Sequence, residues 1–119
     1  MIASALLARE TVSIGEILKY PETYNFRIVT LQGTAQQVKP LGMYWSKYCV
    51  VSGSYTFVLE DGTGAIDVEV GGTCFGLGNV TVVNNGDNVI VEALINKFIG
   101  GPGPPTIKAS AREVRRVGN

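Results

Sequence analysis

The stretch Ser54–Val70, SYTFVLEDGTGAIDVEV, decides how this chain folds. Tyr55, Phe57 and Leu59 alternate with polar or smaller residues before a glycine-bearing break, and Ile66, Val68 and Val70 alternate after it. A period of two is that of a strand with one buried face. Asp61-Gly62-Thr63-Gly64 between the arms is turn chemistry, because glycine reaches positive φ at no steric cost. The stretch therefore predicts an antiparallel hairpin with an aromatic core face. Its other face carries Thr56, Val58, Glu60, Asp67 and Glu69, which includes three acids and no base.

Upstream, Ser13-Ile14-Gly15-Glu16 fits a capping box, with the serine hydroxyl on a first-turn amide and the glutamate reaching back. Ile14, Ile17 and Leu18 share a helical face, and Pro21 limits the helix, which gives a short helix over 14–19. Phe26–Val38, FRIVTLQGTAQQV, reads as one long strand with Val29, Leu31, Gly33 and Ala35 on one face. About 13 residues exceed the usual strand, so this one is expected to bend at Gly33 and serve two parts of a closed sheet. Lys39–Gly53 is a long connection that holds the sole tryptophan, Trp45.

Downstream, Gly71–Gly78 is too glycine-rich for a helix. Residues 81–83 suit a short strand, Asn84-Asn85-Gly86-Asp87 a tight turn, and Asn88–Phe98 a strand with Val89, Val91, Ala93 and Ile95 inward. Gly100–Pro105 cannot enter a ladder. Thr106 to Arg116 is the last strand, with Ile107, Ala109 and Ala111 inward.

The chain has 119 residues, with ten basic and ten acidic side chains and no histidine. That length suits one domain, 1–119, able to bury a core without staples. Fifteen glycines beside many Val, Ile and Thr favour an all-β protein. Zero net charge leaves no global field to recruit polyanions. No apolar run reaches the ~18 to 20 residues of a membrane span. Residues 2–8, IASALLA, admit two readings within an N-terminal extension, 1–11: the end of a trimmed signal sequence, or a turn or two of helix. The lack of a basic n-region favours the helix.

The layout of one long bent strand, a hairpin and two further strands resembles the OB-fold, a five-stranded Greek-key barrel. Phe57-Val58-Leu59-Glu60-Asp61-Gly62-Thr63-Gly64 followed by Ile66 looks like the second and third strands of replication-protein-A-like and anticodon-binding OB modules. Gly86-Asp87-Asn88-Val89-Ile90-Val91 resembles the entry to the fourth strand. The likeness spans residues 12–117. It departs from the pattern in one place, since OB domains usually carry a helix where Gly71–Gly78 stands.

Without histidine there is no Ser-His or Cys-His pair. Glu60 and Asp61 are adjacent and face opposite sides, so they cannot cooperate as a carboxylate pair. Zinc needs four Cys or His ligands, and the glycine-rich run lacks the Lys-Ser/Thr of a phosphate loop. The expectation is a binding module that is not an enzyme and takes no cofactor or metal. Its ligand-contacting residues are expected in loops 39–48 and 100–105: Lys39, Tyr44, Trp45, Lys47, Tyr48, Lys97 and Phe98. The OB resemblance implies that these loops flank one binding face.

Two partners stay open. Interleaved lysines and aromatics suit single-stranded nucleic acid, by phosphate contact and base stacking. The acidic outer face of the hairpin repels phosphate and favours a protein, peptide or small ligand. An alternative role for Trp45 and Tyr48 is to plug a barrel end.

Cys49 and Cys74 lie about 13 and 12 residues from the hairpin turn, which brings them within bridging reach if both arms extend that far. A bridge implies an oxidising, exported setting, whereas two buried thiols suit the cytoplasm.

Overall fold

The structure, a computed structural model, describes residues 11–75, 81–98, 101–104 and 106–117. The expected signal remnant or helix over residues 2–8 lies outside these.

Among the described residues two short helices, α1 (Ile14–Lys19) and α2 (Pro21–Tyr24), precede eight strands. These are β1 (Ile28–Pro40), β2 (Tyr44–Trp45), β3 (Val50–Ser52), β4 (Tyr55–Glu60), β5 (Ala65–Val70), β6 (Thr73–Cys74), β7 (Asn88–Phe98) and β8 (Thr106–Arg116). Five of them close a barrel in the order β1-β4-β5-β8-β7, the OB arrangement. The remaining three form a separate side sheet, β2-β3-β6. Among the described residues no helix is long and apolar enough to cross a membrane.

β1 closes the barrel by changing partner along its length. Ile28 to Thr34 pair with β7, and Thr34 to Pro40 pair with β4. Gly33 sits at the change-over, where an added Cβ would run into the Glu60 carbonyl oxygen. The register shift itself falls later, between Gln36 and Lys39, where Gln37 takes a φ of 54°. The bulge therefore lies C-terminal to the expected bend, and Gly33 serves close approach. Phe26 is not part of the strand. Its φ is 66°, its side chain is exposed, and its amide donates to the Ile95 carbonyl.

The hairpin β4–β5 pairs in the expected register, with Leu59 opposite Ile66, Phe57 opposite Val68 and Tyr55 opposite Val70. All six of these side chains are buried, together with Val29, Leu31, Ala35, Val89, Val91, Ala93, Ile95 and Ala109. Val114 joins them although its parity is opposite to that of Ala109. The β7–β8 register shifts between Glu92 and Ala93, so that Glu113 faces Glu92 while Ala111 faces Ala93. Arg112 is the extra residue, and the inward parity of β8 flips after it.

The ends of the barrel are closed differently. At the β4–β5 turn α1 inserts Ile14 and Ile17, both fully buried. Ser13 Oγ accepts the Glu16 amide at 3.2 Å, as a cap should. Glu16 accepts instead from the Tyr24 hydroxyl at 3.0 Å, and the turn supplies the other acceptors. Asp61 Oδ2 takes the Ile14 amide at 2.9 Å, and Thr63 Oγ1 takes the Gly15 amide at 2.9 Å. At the opposite end Val83 is buried, and the Tyr55 hydroxyl donates to the Thr81 carbonyl at 2.5 Å. Burial pushes the Tyr55 phenol up from its ordinary range, which keeps it a donor. Residues 81–83 form no strand, contrary to expectation, because Thr81 and Val83 are used to close this end.

Candidate functional site

The connection from Pro40 to Tyr55 is not a loop but most of a side sheet. Tyr44 pairs with Val51 and Trp45 with Val50, while Val51 pairs with Cys74 and Ser52 with Thr73. Gly53, at φ 88°, separates β3 from β4. The first hairpin arm, β4, is thus preceded by a separate three-residue strand. Cys49 and Cys74 are joined by a disulfide with their Cα atoms 5.5 Å apart. Ser46 holds the β2–β3 turn. Its hydroxyl donates to the Cys49 carbonyl at 2.9 Å and accepts the Cys49 amide at 3.1 Å.

Five large apolar side chains on or beside this stapled sheet are more than half exposed. Trp45 is 80% exposed, Tyr48 82%, Met43 75%, Phe75 63% and Tyr44 54%. Trp45 and Tyr48 do not plug the barrel. Trp45, Val50 and Phe75 lie in one row, since the Phe75 amide donates to the Val50 carbonyl at 2.6 Å. Lys47 Nζ stands 5.5 Å from the Tyr48 ring centroid. At the root of the sheet lies an apolar groove of about 410 Å³, lined among others by Pro40, Leu41, Tyr55 and Val82.

The outer face of the hairpin begins beside it. Lys39 is opposite Thr56, which is opposite Glu69. One step on, Val58 is opposite Asp67, which lies next to Lys108 in the parallel ladder to β8. Gln37, Lys39, Thr56, Val58, Asp67, Glu69 and Lys108 line a groove of about 250 Å³ there. The face is thus mixed in charge rather than purely acidic. Lys108 could not be assigned to it from sequence, because the β5–β8 pairing is non-local. Two of the other bases of the C-terminal strand lie beside acids elsewhere: Arg116 is 4.0 Å from Asp87 and Arg115 4.0 Å from Glu113.

The expected site residues separate into groups. Tyr44, Trp45, Lys47 and Tyr48 come together on the side sheet, and Lys39 stands at the edge of the mixed-charge groove. Phe98 lies at the far end of the hairpin face, with its ring centroid 5.7 Å from Lys108 Nζ. Lys97 does not join them. Its side chain follows the inward parity of β7 and its amine is engaged by Glu22 of α2, an interaction that lowers the Glu22 pKa. Lys39, opposite Thr56, and Phe98, opposite Thr106, therefore stand at opposite ends of that face. Phe75 was missed because it follows a glycine-rich run with no periodicity.

No protein-family model matches this sequence, and no curated protein is significantly similar to it. Solved structures are similar in fold. The second OB-fold domain of replication protein A from Methanococcus maripaludis superposes with a TM-score of 0.64 at 14% identity, covering 92% of this chain and 96% of that one. A chain assigned as an aspartyl-tRNA synthetase from Leishmania major Friedlin gives 0.60 at 15% identity, covering 91% of this chain. This chain spans only 20% of that synthetase. At such identities the likeness establishes the OB fold alone.

Proposed function

We propose that this OB-fold domain is a non-catalytic binding module whose partner is a protein or peptide, held by the side sheet and the adjoining segment 39–48. One observation carries the reading. Five large apolar side chains, Met43, Tyr44, Trp45, Tyr48 and Phe75, are each more than half exposed on one small sheet that a disulfide fixes in place. Trp45 and Phe75 share a row and Tyr44 faces the other way, and folded monomers seldom expose so many large apolar side chains on one small element unless something docks there. Tyrosine and tryptophan are the side chains that dominate protein interfaces, because they bury much area at little entropic loss. The apolar groove at the root of the sheet extends the same surface.

The hairpin face argues for protein over nucleic acid. Glu60, Asp67 and Glu69 are exposed along it, and the chain's net charge is zero. These three carboxylates outnumber the two lysines beside them, Lys39 and Lys108, so a polyanion crossing that face meets a net negative charge.

Affinity capture on the oxidised protein tests the proposal. The wild type should retain a partner that a Trp45→Ala, Tyr48→Ala variant does not, with both proteins giving the same circular dichroism. Equal retention by the variant would defeat it. A second reading draws on Lys47 beside Tyr48 and on Lys39: single-stranded nucleic acid stacked on the aromatics. Titrating Trp45 fluorescence with mixed-sequence single-stranded DNA at low and then moderate salt separates the two. Quenching that weakens steeply with salt would favour nucleic acid.

A further inference from the structure

We propose that Cys49–Cys74 is a thiol–disulfide exchange site, at which a dithiol reductant or dithiol-bearing oxidoreductase dismantles the side sheet and leaves the barrel folded. Its consequence for partner binding rests on the reading above; the structural change does not.

The side sheet has little else to hold it. Its strands are two, three and two residues long, and each of its two ladders joins two residue pairs. Isolated sheets of that size are not stable in water. None of its strand residues is buried. Cys49, just before β3, is 3% exposed and is itself one end of the bridge. The bridge lies where it substitutes for a core, joining the residue before β3 to the end of β6.

The barrel, in contrast, is closed without it. β4 and β5 pair directly from Tyr55–Val70 to Glu60–Ala65, beyond the positive-φ Gly53 that separates them from β3. The buried core lies on the barrel side of that boundary. Cutting the bridge therefore frees β2, β3 and β6 while the five barrel ladders stand.

The two cysteines also differ in exposure. Cys74 is exposed, whereas Cys49 is 3% exposed. An incoming thiolate meets Cys74 first. Its sulfur bonds to Cys74 Sγ, the Cys49–Cys74 bond breaks, and Cys49 leaves with the electron pair and takes up a proton. Ser46 Oγ, 3.6 Å from Cys49 Sγ, stands beside that leaving sulfur. The second thiol of the reductant then attacks the first, which releases Cys74 as a thiol and leaves the reductant as a disulfide. Two electrons and two protons pass from the dithiol to the bridge.

Amide hydrogen exchange on oxidised wild type, wild type in dithiothreitol, and a Cys49→Ser, Cys74→Ser variant tests the structural step without any partner. The amides of Val50, Val51 and Phe75 should exchange more than about tenfold faster on loss of the bridge, while those of Phe57 and Val91 stay unchanged. Unchanged protection in the side sheet, or loss of protection throughout the barrel, would overturn the proposal. Should the double variant fail to fold, reduced wild type alone decides. Trapping the exchange with a monothiol under limiting conditions should place the first adduct on Cys74, and an adduct on Cys49 would contradict the order of attack. If the side sheet opens on reduction but partner retention is unchanged, the docking surface lies elsewhere and the exchange site stands.

Discussion

Asp61 Oδ2 accepts the backbone amide of Ile14 at 2.9 Å, across 47 positions of sequence. A turn of the central hairpin thereby caps the helix that closes the barrel. The same carboxylate takes the Thr63 amide at 2.8 Å and the Thr63 hydroxyl at 2.5 Å. Burial pushes this carboxyl up, but the donors from Ile14, Thr63 and Gly64 together hold it below its ordinary 3.8.

A folded pKa below the unfolded one means that the ionised group stabilises the fold above the unfolded value, and that this stability is lost as pH falls through the folded pKa. For Asp61 the loss lies below pH 3.8. Asp61→Asn should cost about 1 to 2 kcal/mol at neutral pH, after allowance for partial exposure. It should also flatten the dependence of midpoint on pH in the acid range. Denaturant melts of both proteins between pH 2 and 7 measure it, and parallel pH curves would show that the contact carries no linkage.

Gly33 marks where β1 passes from β7 to β4, against the Glu60 carbonyl. Gly33→Ala places a methyl group there and should destabilise by about 1 to 3 kcal/mol, since backbone must move. Gly71→Ala, where nothing lies within 4 Å, should change stability far less. Urea melts of the pair compare the two positions directly.

Lys97 is engaged with Glu22 and is set apart from the exposed aromatics. Lys97→Ala should therefore leave partner affinity within about twofold and lower stability by no more than about 1 kcal/mol, as partly exposed ion pairs do. Calorimetric titration and a thermal melt give both numbers.

Much of the barrel was legible because burial and parity agree. Tyr55, Phe57 and Leu59 announce their face, and so do Val89, Val91, Ala93 and Ile95. Parity fails where a bulge resets it, which is why Val114 could not be placed inward. It also fails in the side sheet, because two- or three-residue strands hold less than one full alternation. Tyr44, Trp45 and Tyr48 were legible as a cluster of exposed aromatics in a long connection. Their support by β3 and β6 was not, since it depends on a pairing across a glycine-rich segment. Lys97 misled because its neighbour Phe98 faces the ligand side, and adjacent strand residues face opposite ways.

The most direct test of the account is the affinity of a captured, purified partner for three proteins: oxidised wild type, Trp45→Ala, and Trp45→Ala with Tyr48→Ala. The account predicts a loss of more than about 30-fold for the single variant and a larger loss for the double one, as expected for central aromatic anchors. Affinity unchanged within twofold in both variants, with the disulfide intact and the fold preserved, would contradict it.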